Sequence, residues 1–387
     1  MLLANVGSSV DASSRLAGKE AAIKAKKNLK DIKLAFVYSS TKYNQRELLT
    51  GISEELSGVP LIGNTSFSGI ITQEGFISSD SGFVGIMTLS DSDLTVGVAG
   101  MTKYESARLT GNKVAVEALK SAGKTSPPDY FYMIASPGEE ELYLEGITEV
   151  IGNVPCFGGS SADDTECGEW KAFTNKSIFI DGVAVVFFYT KKPFINEFSG
   201  EYKPSDKSGI VTKVRGLRTV VEIDGIPALK KYSEWTGIDI DKLVNSKLLS
   251  ASILCPLGLK NSLGETKIIY NVISINSDLS INLSNNIYSG STVTVMNSSL
   301  DGLIDSSKNV AEKLSNNSDF PIAAYHFIHS GRRKACIEDR INEVAINFKE
   351  IAGDTPFITE FSFGEYGFDG KKNKCGSLML SFSAFGK

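Results

Sequence analysis

Histidine is scarce and cysteine is scattered in this 387-residue chain. It has two histidines, His326 and His329, and five cysteines (Cys156, Cys167, Cys255, Cys336 and Cys375), an odd number with no Cys-x-x-Cys pair. That spacing argues against a disulfide framework or a zinc site and fits a reducing interior. Long apolar runs are missing too. The longest, 183–189, is far too short to span a bilayer. The opening Met1-Leu-Leu-Ala-Asn-Val-Gly lacks the basic region and apolar core of a signal peptide. Basic excess is absent: a net charge of −5 and a pI near 5.4 leave no electrostatic footprint for nucleic acid or an anionic membrane. Nor does the chain carry a Gly-x-Ser-x-Gly elbow, a P-loop, a dinucleotide fingerprint within a β-α-β unit, or His-Glu-x-x-His. These absences lead us to expect a cytoplasmic, non-enzymatic protein with no nucleic-acid partner and no membrane insertion.

What is present is an ordinary globular composition, long enough for two or three domains, and a repeat. The stretch Val154-Pro-Cys-Phe-Gly-Gly-Ser-Ser161 has an earlier copy, Val59-Pro-Leu-Ile-Gly-Asn-Thr-Ser66. Aligned at an offset of 95, segments 49–66 and 144–161 share eight identities in eighteen columns, including Gly51/Gly146, Pro60/Pro155, Gly63/Gly158 and Ser66/Ser161. Each copy reads as a helix, a Pro entering a short apolar strand, then Gly and small hydroxyl residues at the strand end. Such ends present backbone N–H groups and hydroxyls outward, where α/β proteins hold ligands. The two glycines serve either that purpose or the relief of crowding. The preceding helix repeats as well: Ser13, Arg15, Leu16, Gly18 and Ala22 match Ser106, Arg108, Leu109, Gly111 and Ala115 at an offset of 93.

Apolar periodicity predicts strands at 2–6, 33–38, 59–63 and 83–89 with helices at 15–29 and 45–56, and a second set of the same order through 189. The second copy is about five residues longer, most simply in the acidic loop 163–168. Gly200, Pro204, Ser205 and Asp206 mark a domain boundary. From 300 onward a helix, a strand, a helix, a strand entered through Pro356 and a last strand suggest a third copy, whereas 206–300 matches neither repeat. The expected fold class is α+β (mixed α/β): two sheet-containing modules of repeated helix–strand–helix–strand–strand units. They are 1–205, with internal repeats 1–93 and 94–205 related by a pseudo-twofold, and 206–387.

Segments 59–69 and 154–164, Asp224-Gly-Ile-Pro-Ala-Leu229, Gly331-Arg332 and Gly364-Glu365 together resemble, in order, the motifs of FIST domain proteins, with FIST N and FIST C modules. The resemblance implies a prokaryotic sensory domain of signal transduction that binds small molecules such as amino acids. It also implies a separate signalling partner, a kinase or chemoreceptor, because no output segment is recognised in the chain. Some family members are haem-containing nitric-oxide sensors, which makes a haem-based gas sensor one alternative; a non-catalytic interaction scaffold is another. The chain departs from the family pattern in two places. His329-Ser330-Gly331-Arg332 stands where the family usually has Cys-x-Gly-Arg, and Gly69-Ile70 where Gly-Glu is common.

These readings place a ligand site between the modules, built from the strand-end residues Asn64, Thr65, Gly158, Gly159 and Ser160 facing His329, Gly331, Arg332 and Glu365. Arg332, at the start of a helix, would hold a carboxylate bidentately, or else pair structurally with Glu365. His329 would be a ligand contact, a haem axial residue or a polar strand end. Three residues apart on one strand, His326 and His329 face opposite sides and do not share a metal. Asp163, Asp164, Glu166 and Glu169 form either a cation site or a solvated loop, and Cys156 reads as core.

Overall fold

The computed structural model describes residues 1–165, 167–260 and 266–387; Glu166, named above, lies outside them. The chain runs through one unit three times. Unit 1 comprises β1 (Leu3–Ser9), α1 (Ser14–Lys26), β2 (Ile32–Ser39), α2 (Gln45–Glu55), β3 (Leu61–Thr65), the hairpin β4 (Ile70–Thr72) and β5 (Gly75–Ile77), and β6 (Val84–Ser90). Unit 2 repeats it as β7 (Thr95–Thr102), α3 (Ala107–Ala122), β8 (Tyr130–Ala135), α4 (Glu140–Ile151), β9 (Cys156–Ser160), β10 (Ala172–Thr174), β11 (Ile178–Phe179) and β12 (Gly182–Tyr189).

Unit 3 opens with β13 (Phe194–Ser199) and is then interrupted by an insertion with its own sheet and core. The insertion carries β14 (Lys203–Arg215), β15 (Thr219–Ile223), β16 (Ile226–Pro227), α5 (Ala228–Thr236), α6 (Ile240–Lys242), a π-helical turn, and α7 (Leu248–Leu254). Its remaining strands are β17 (Leu257–Lys260), β18 (Thr266–Tyr270), β19 (Val272–Ile275), β20 (Ile281–Leu283) and β21 (Thr292–Asn297). Unit 3 resumes with α8 (Leu300–Asn317), β22 (Ile322–Ser330), α9 (Gly331–Cys336), α10 (Ile341–Ala352), β23 (Phe357–Ser362), β24 (Glu365–Phe368), β25 (Asn373–Gly376) and β26 (Leu380–Gly386).

The α+β class holds, but the symmetry is threefold where the two legible copies suggested a twofold. The four-strand orders β1-β6-β2-β3, β7-β12-β8-β9 and β13-β26-β22-β23 are the same, each with its last pair parallel. Each unit then lends its hairpin to a neighbour: β10 pairs with β3, β24 with β9, and β4 with β23, all antiparallel, which closes a ring. One face of every sheet meets a shared core in which Phe36, Tyr132, Phe157, Ile328, Ile358 and Phe385 pack together. The other face is covered by that unit's helix pair. With both faces covered, β2, β8 and β22 are apolar along nearly their whole length. A boundary at 205 falls within β14.

The repeat identities are those of close approach. A Cβ at Gly51 would overlap the Arg15 carbonyl oxygen, and one at Gly146 the Arg108 carbonyl oxygen, so the α1–α2 and α3–α4 pairs touch backbone to backbone. The same arginines pair with Glu54 and Glu149, which are a further repeat match. Gly63 and Gly158 occupy equivalent ladder positions opposite Val37 and Met133, where side chains would strike those residues' carbonyl oxygens. The crowding reading of these glycines is the one the structure supports.

Candidate functional site

The parallel strand ends of the three units converge, as their equivalence requires, and they close on one another. Phe67 N donates to Phe361 O, Ala162 N to Thr65 O and Phe363 N to Ser160 O, a cycle of three equivalent bonds around the ring axis. Beneath this collar lies a polar network without solvent contact. Tyr38 Oη is 2.8 Å from Tyr132 Oη and 2.6 Å from His326 Nε2, Tyr132 Oη donates to Glu360 Oε1 (2.9 Å), and Asn64 Nδ2 donates to Glu360 Oε2 (2.8 Å). All five residues are fully buried. Burial lifts the Glu360 carboxyl to about 7 and lowers His326 to about 3, so at neutral pH the imidazole is uncharged. His326 Nδ1 and Asn64 Oδ1 are buried without a partner. Periodicity alone could not reveal this network: Tyr132 and His326 share one repeat position and Asn64 and Glu360 another, with different residues in each, and the equivalents of Tyr38 are Ile134 and Ile328.

The sequence-predicted site residues lie around this collar, mostly facing protein. Asn64 is in the network. Thr65 Oγ1 accepts from Lys171 N at 2.9 Å. Gly158 and Gly159 sit in β9, and a Cβ on Gly159 would meet Ile328 and Ser362. Ser160 Oγ donates to Glu140 Oε1 (3.1 Å) and is 2.6 Å from Tyr366 Oη. His329 points the other way from His326, with Nε2 3.0 Å from Ser307 Oγ of α8 and Nδ1 2.9 Å from Ser330 O. A Cβ on Gly331 would come within 3.0 Å of Phe67 Cβ and 3.1 Å of Ser362 O, a tight fit against protein. Glu365 takes its hydrogen bonds from Ser362 Oγ (2.9 Å) and Met379 N (2.8 Å), not from Arg332, and burial lifts it to about 8. Arg332 is half-buried, its guanidinium carbon 5.5 Å from the centre of the Phe363 ring. Asp163 and Asp164 hold loops together: Asp163 accepts from the N–H groups of Thr165, Gly168 and Glu169, and Asp164 from Ser68. Cys156 is buried in the core beneath α3 and α4.

The residues present do not fit a haem axial role. Both imidazoles are sealed, each Nε2 has a hydroxyl partner, and neither histidine lines a described cleft.

The open volume lies elsewhere. A cleft of about 880 Å³ separates unit 3 from the insertion, walled by β13 and the start of β14 on one side and by the end of β21 and the first turns of α8 on the other. Its lining mixes amides and hydroxyls (Asn196, Asn309, Ser298, Ser299) with Glu201, Asp305 and Lys203. Ser299 caps α8 through Gly302 N (3.0 Å). The unused N–H groups of an 18-residue helix therefore open at one end of the cleft. Behind the wall stands Arg333, the neighbour of the predicted arginine and fully buried. It donates to the carbonyls of Gly200 (3.2 Å) and Leu378 (3.4 Å) and to Ser306 Oγ, its Nε is unpartnered, and no carboxylate is in ion-pair range among the described residues. Sequence reasoning missed the cleft because 196–204 read only as a boundary and 300 onward only as a repeat helix, and nothing in either stretch shows that the insertion faces them. The one available signal was the doubled Arg332-Arg333 at a helix start.

A FIST N domain model matches residues 33–226 and a FIST C domain model residues 228–367. The chain belongs to the FIST family. FIST domains are sensory modules of signal transduction that bind small ligands. The structure divides differently from the two matches: unit 1 begins before residue 33, and the junction at 226–228 falls inside the insertion, at β16. No curated protein matches the chain. Among solved structures, cyanuric acid hydrolase from A. caulinodans is similar at 12% identity over 65% of this chain and 90% of that one, with a TM-score of 0.31. Phosphoribosylformylglycinamidine synthase II from Thermotoga maritima is similar at 11% identity over 100% and 72%, with a TM-score of 0.24. No helix among the described residues is long and apolar enough to cross a membrane.

Proposed function

We propose that this FIST protein is a cytoplasmic, non-catalytic sensor of a small zwitterionic metabolite such as an amino acid, bound in the cleft between unit 3 and the insertion, and that it signals through a separate partner. The carrying observation is the cleft's pairing of chemistries. The α8 N-terminus, with Arg333 behind Ser306 and Gly200, favours a carboxylate at one end. Glu201 and Asp305 favour an ammonium group. Clefts between modules, with a few convergent polar groups, are the usual place for small ligands. A non-catalytic reading is supported by the burial of the four perturbed carboxyl and imidazole groups, Glu360, Glu365, His326 and His329, none of which lines the cleft.

The test is calorimetric titration and thermal shift with a panel of amino acids, on wild type and on a D305A/N309A variant of two exposed cleft residues. A ligand at about a hundred times its Kd should add roughly 2.7 kcal/mol of stability. Loss of two polar contacts at about 1 kcal/mol each should weaken binding by roughly 30-fold. A panel that leaves the melting temperature unmoved, or a variant that binds as well as wild type, would refute the assignment.

A further inference from the structure

The three-unit ring offers the same groove three times, between a unit's second helix and the hairpin lent by its neighbour, and the grooves are finished differently. In unit 3 the hairpin β4–β5 packs directly on α10. In unit 2 the insertion roofs the groove: Arg218 Nη2 donates to Glu141 Oε2 (2.7 Å), Asn286 N donates to Glu141 Oε1 (3.0 Å), and Asn285 reaches Cys375 on the hairpin. In unit 1 the groove between α2 and β10–β11 stays open, with a volume of about 640 Å³. The hairpins are anchored alike in units 1 and 2. Asn175 brackets β3 by accepting from Leu61 N and donating to Val59 O, and Asn373 brackets β9 by accepting from Cys156 N and donating to Val154 O.

The open groove has an apolar floor of Leu49, Ile52, Leu56 and Ile178, and its charged lining residues are both cationic, Arg46 and Lys176. Both are exposed, and neither has an ion-pair partner among the described residues, whereas Arg15, Lys19 and Lys26 on the neighbouring helix are all paired with glutamates. At the offset of 95, Arg46 occupies the position of Glu141. The insertion meets Glu141 with an arginine, so the equivalent position in unit 1 asks for the opposite charge.

We propose that the α2 groove of unit 1 docks an acidic segment of a partner protein, with apolar side chains on the Leu49–Ile178 floor and carboxylates against Arg46 and Lys176. The ring itself supplies the precedent, since the insertion covers the same face of unit 2 with the charges reversed. Aromatic and aliphatic anchors on the floor would give affinity, and the rim charges would give partner choice and association rate. The docking does not depend on what fills the cleft beside α8.

The experiment selects twelve-residue peptides from a random display library on the full chain, then measures the selected synthetic peptide by fluorescence anisotropy against three proteins: wild type, R46E/K176E and D305A/N309A. The expected result is enrichment of Asp or Glu beside Leu, Ile or Phe, binding about tenfold or more weaker to R46E/K176E, unchanged binding to D305A/N309A, and melting temperatures within a degree or so of wild type. Selected peptides without acidic residues, or equal binding to the charge-reversed variant, would overturn the proposal. So would wild-type self-association in sedimentation that R46E/K176E abolishes, because the groove would then hold a second copy of this chain.

Discussion

Replacing Glu360 by Gln tests whether the network on the ring axis is a neutral-acid network. The carboxyl is fully buried and accepts from Tyr132 and Asn64, with His326, held near 3, too acidic a cation to pair with it. Burial lifts it from 4.5 to about 7. A folded-state pKa above the unfolded one means that the folded protein keeps a proton the unfolded chain has lost. Stability from this group is therefore intact below about pH 4.5 and declines as pH rises toward 7, then levels off. A change of 1 in pKa is worth about 1.4 kcal/mol, so the full decline is on the order of 3 kcal/mol. Gln keeps the shape and does not titrate, and its amide can donate to Asn64 Oδ1, at present without a partner. Urea unfolding of wild type and E360Q at intervals from pH 4.5 to 8 isolates this carboxyl from Glu365, whose own decline, continuing to about 8, is common to both proteins. E360Q should gain on wild type across pH 4.5–7 and hold a constant lead above it. A stability difference that does not change with pH, or one that shrinks as pH rises, would refute the buried neutral acid.

The helix-pair glycines give a second test: G51A and G146A should each cost roughly 1–3 kcal/mol or more from overpacking against a neighbouring backbone, seen as lowered urea midpoints. G58A, at an open position of positive φ, should cost only about 1 kcal/mol. Truncating Arg218 leaves the buried Glu140 carboxylate without its guanidinium. R218A should therefore lose about 3 kcal/mol or more at pH 7, with much of it recovered in R218A/E140Q, as read by thermal unfolding of both. An R332A variant should bind the cleft ligand as wild type does in calorimetry, because the cleft is lined from β13, β14, β21 and α8.

Two of the three units share identities because their contacts demand the same residues, whereas the third showed only in its order of elements from 300 onward. Gly51 and Gly146 permit the same helix approach, Gly63 and Gly158 the same strand crowding, and Pro60 and Pro155 the same strand entry. The third unit has Thr359 at the glycine position, and its first strand, β13, is separated from the rest by the whole insertion. Identities fail there and the first strand is out of contiguous order, so the third copy could be suggested but not aligned, and the two aligned copies imply a twofold. The hairpin exchange that closes the ring leaves no local mark either, since β10 has the same length and apolar content whichever sheet receives it. For the site, proximity was foreseeable and accessibility was not. Strand ends at equivalent positions do converge, but three ends meeting at one axis satisfy each other's N–H and C=O groups and leave little outward for a ligand.

That closure bears on where sensing can occur. A ring of three identical units would present three equal grooves and an axis with three equal groups. Here the axis positions read Asn64, Gly159 and Glu360, and the glycine is what leaves space for the packed Ile328 and Ser362 side chains. The insertion in unit 3 creates one cleft and covers one groove. It reaches unit 2 through Arg218 and Glu140, and Glu140 accepts from Ser160, whose hydroxyl is also bonded to Tyr366 of unit 3. A shift of the insertion on binding a ligand would therefore strain a charge-assisted contact at the seam between units 2 and 3, while the open groove lies at the next seam, between α2 of unit 1 and the β10–β11 hairpin of unit 2. Coupling of the cleft to that groove requires the ring to move as a body, because a local change at one seam is opposed by two equivalent seams that remain bonded. Double-mutant cycles pairing R218A with R46E, read out as ligand-dependent peptide affinity, measure that coupling directly: independence of the two substitutions would make the insertion a local lid, and non-additivity would make the ring itself the transmitting element.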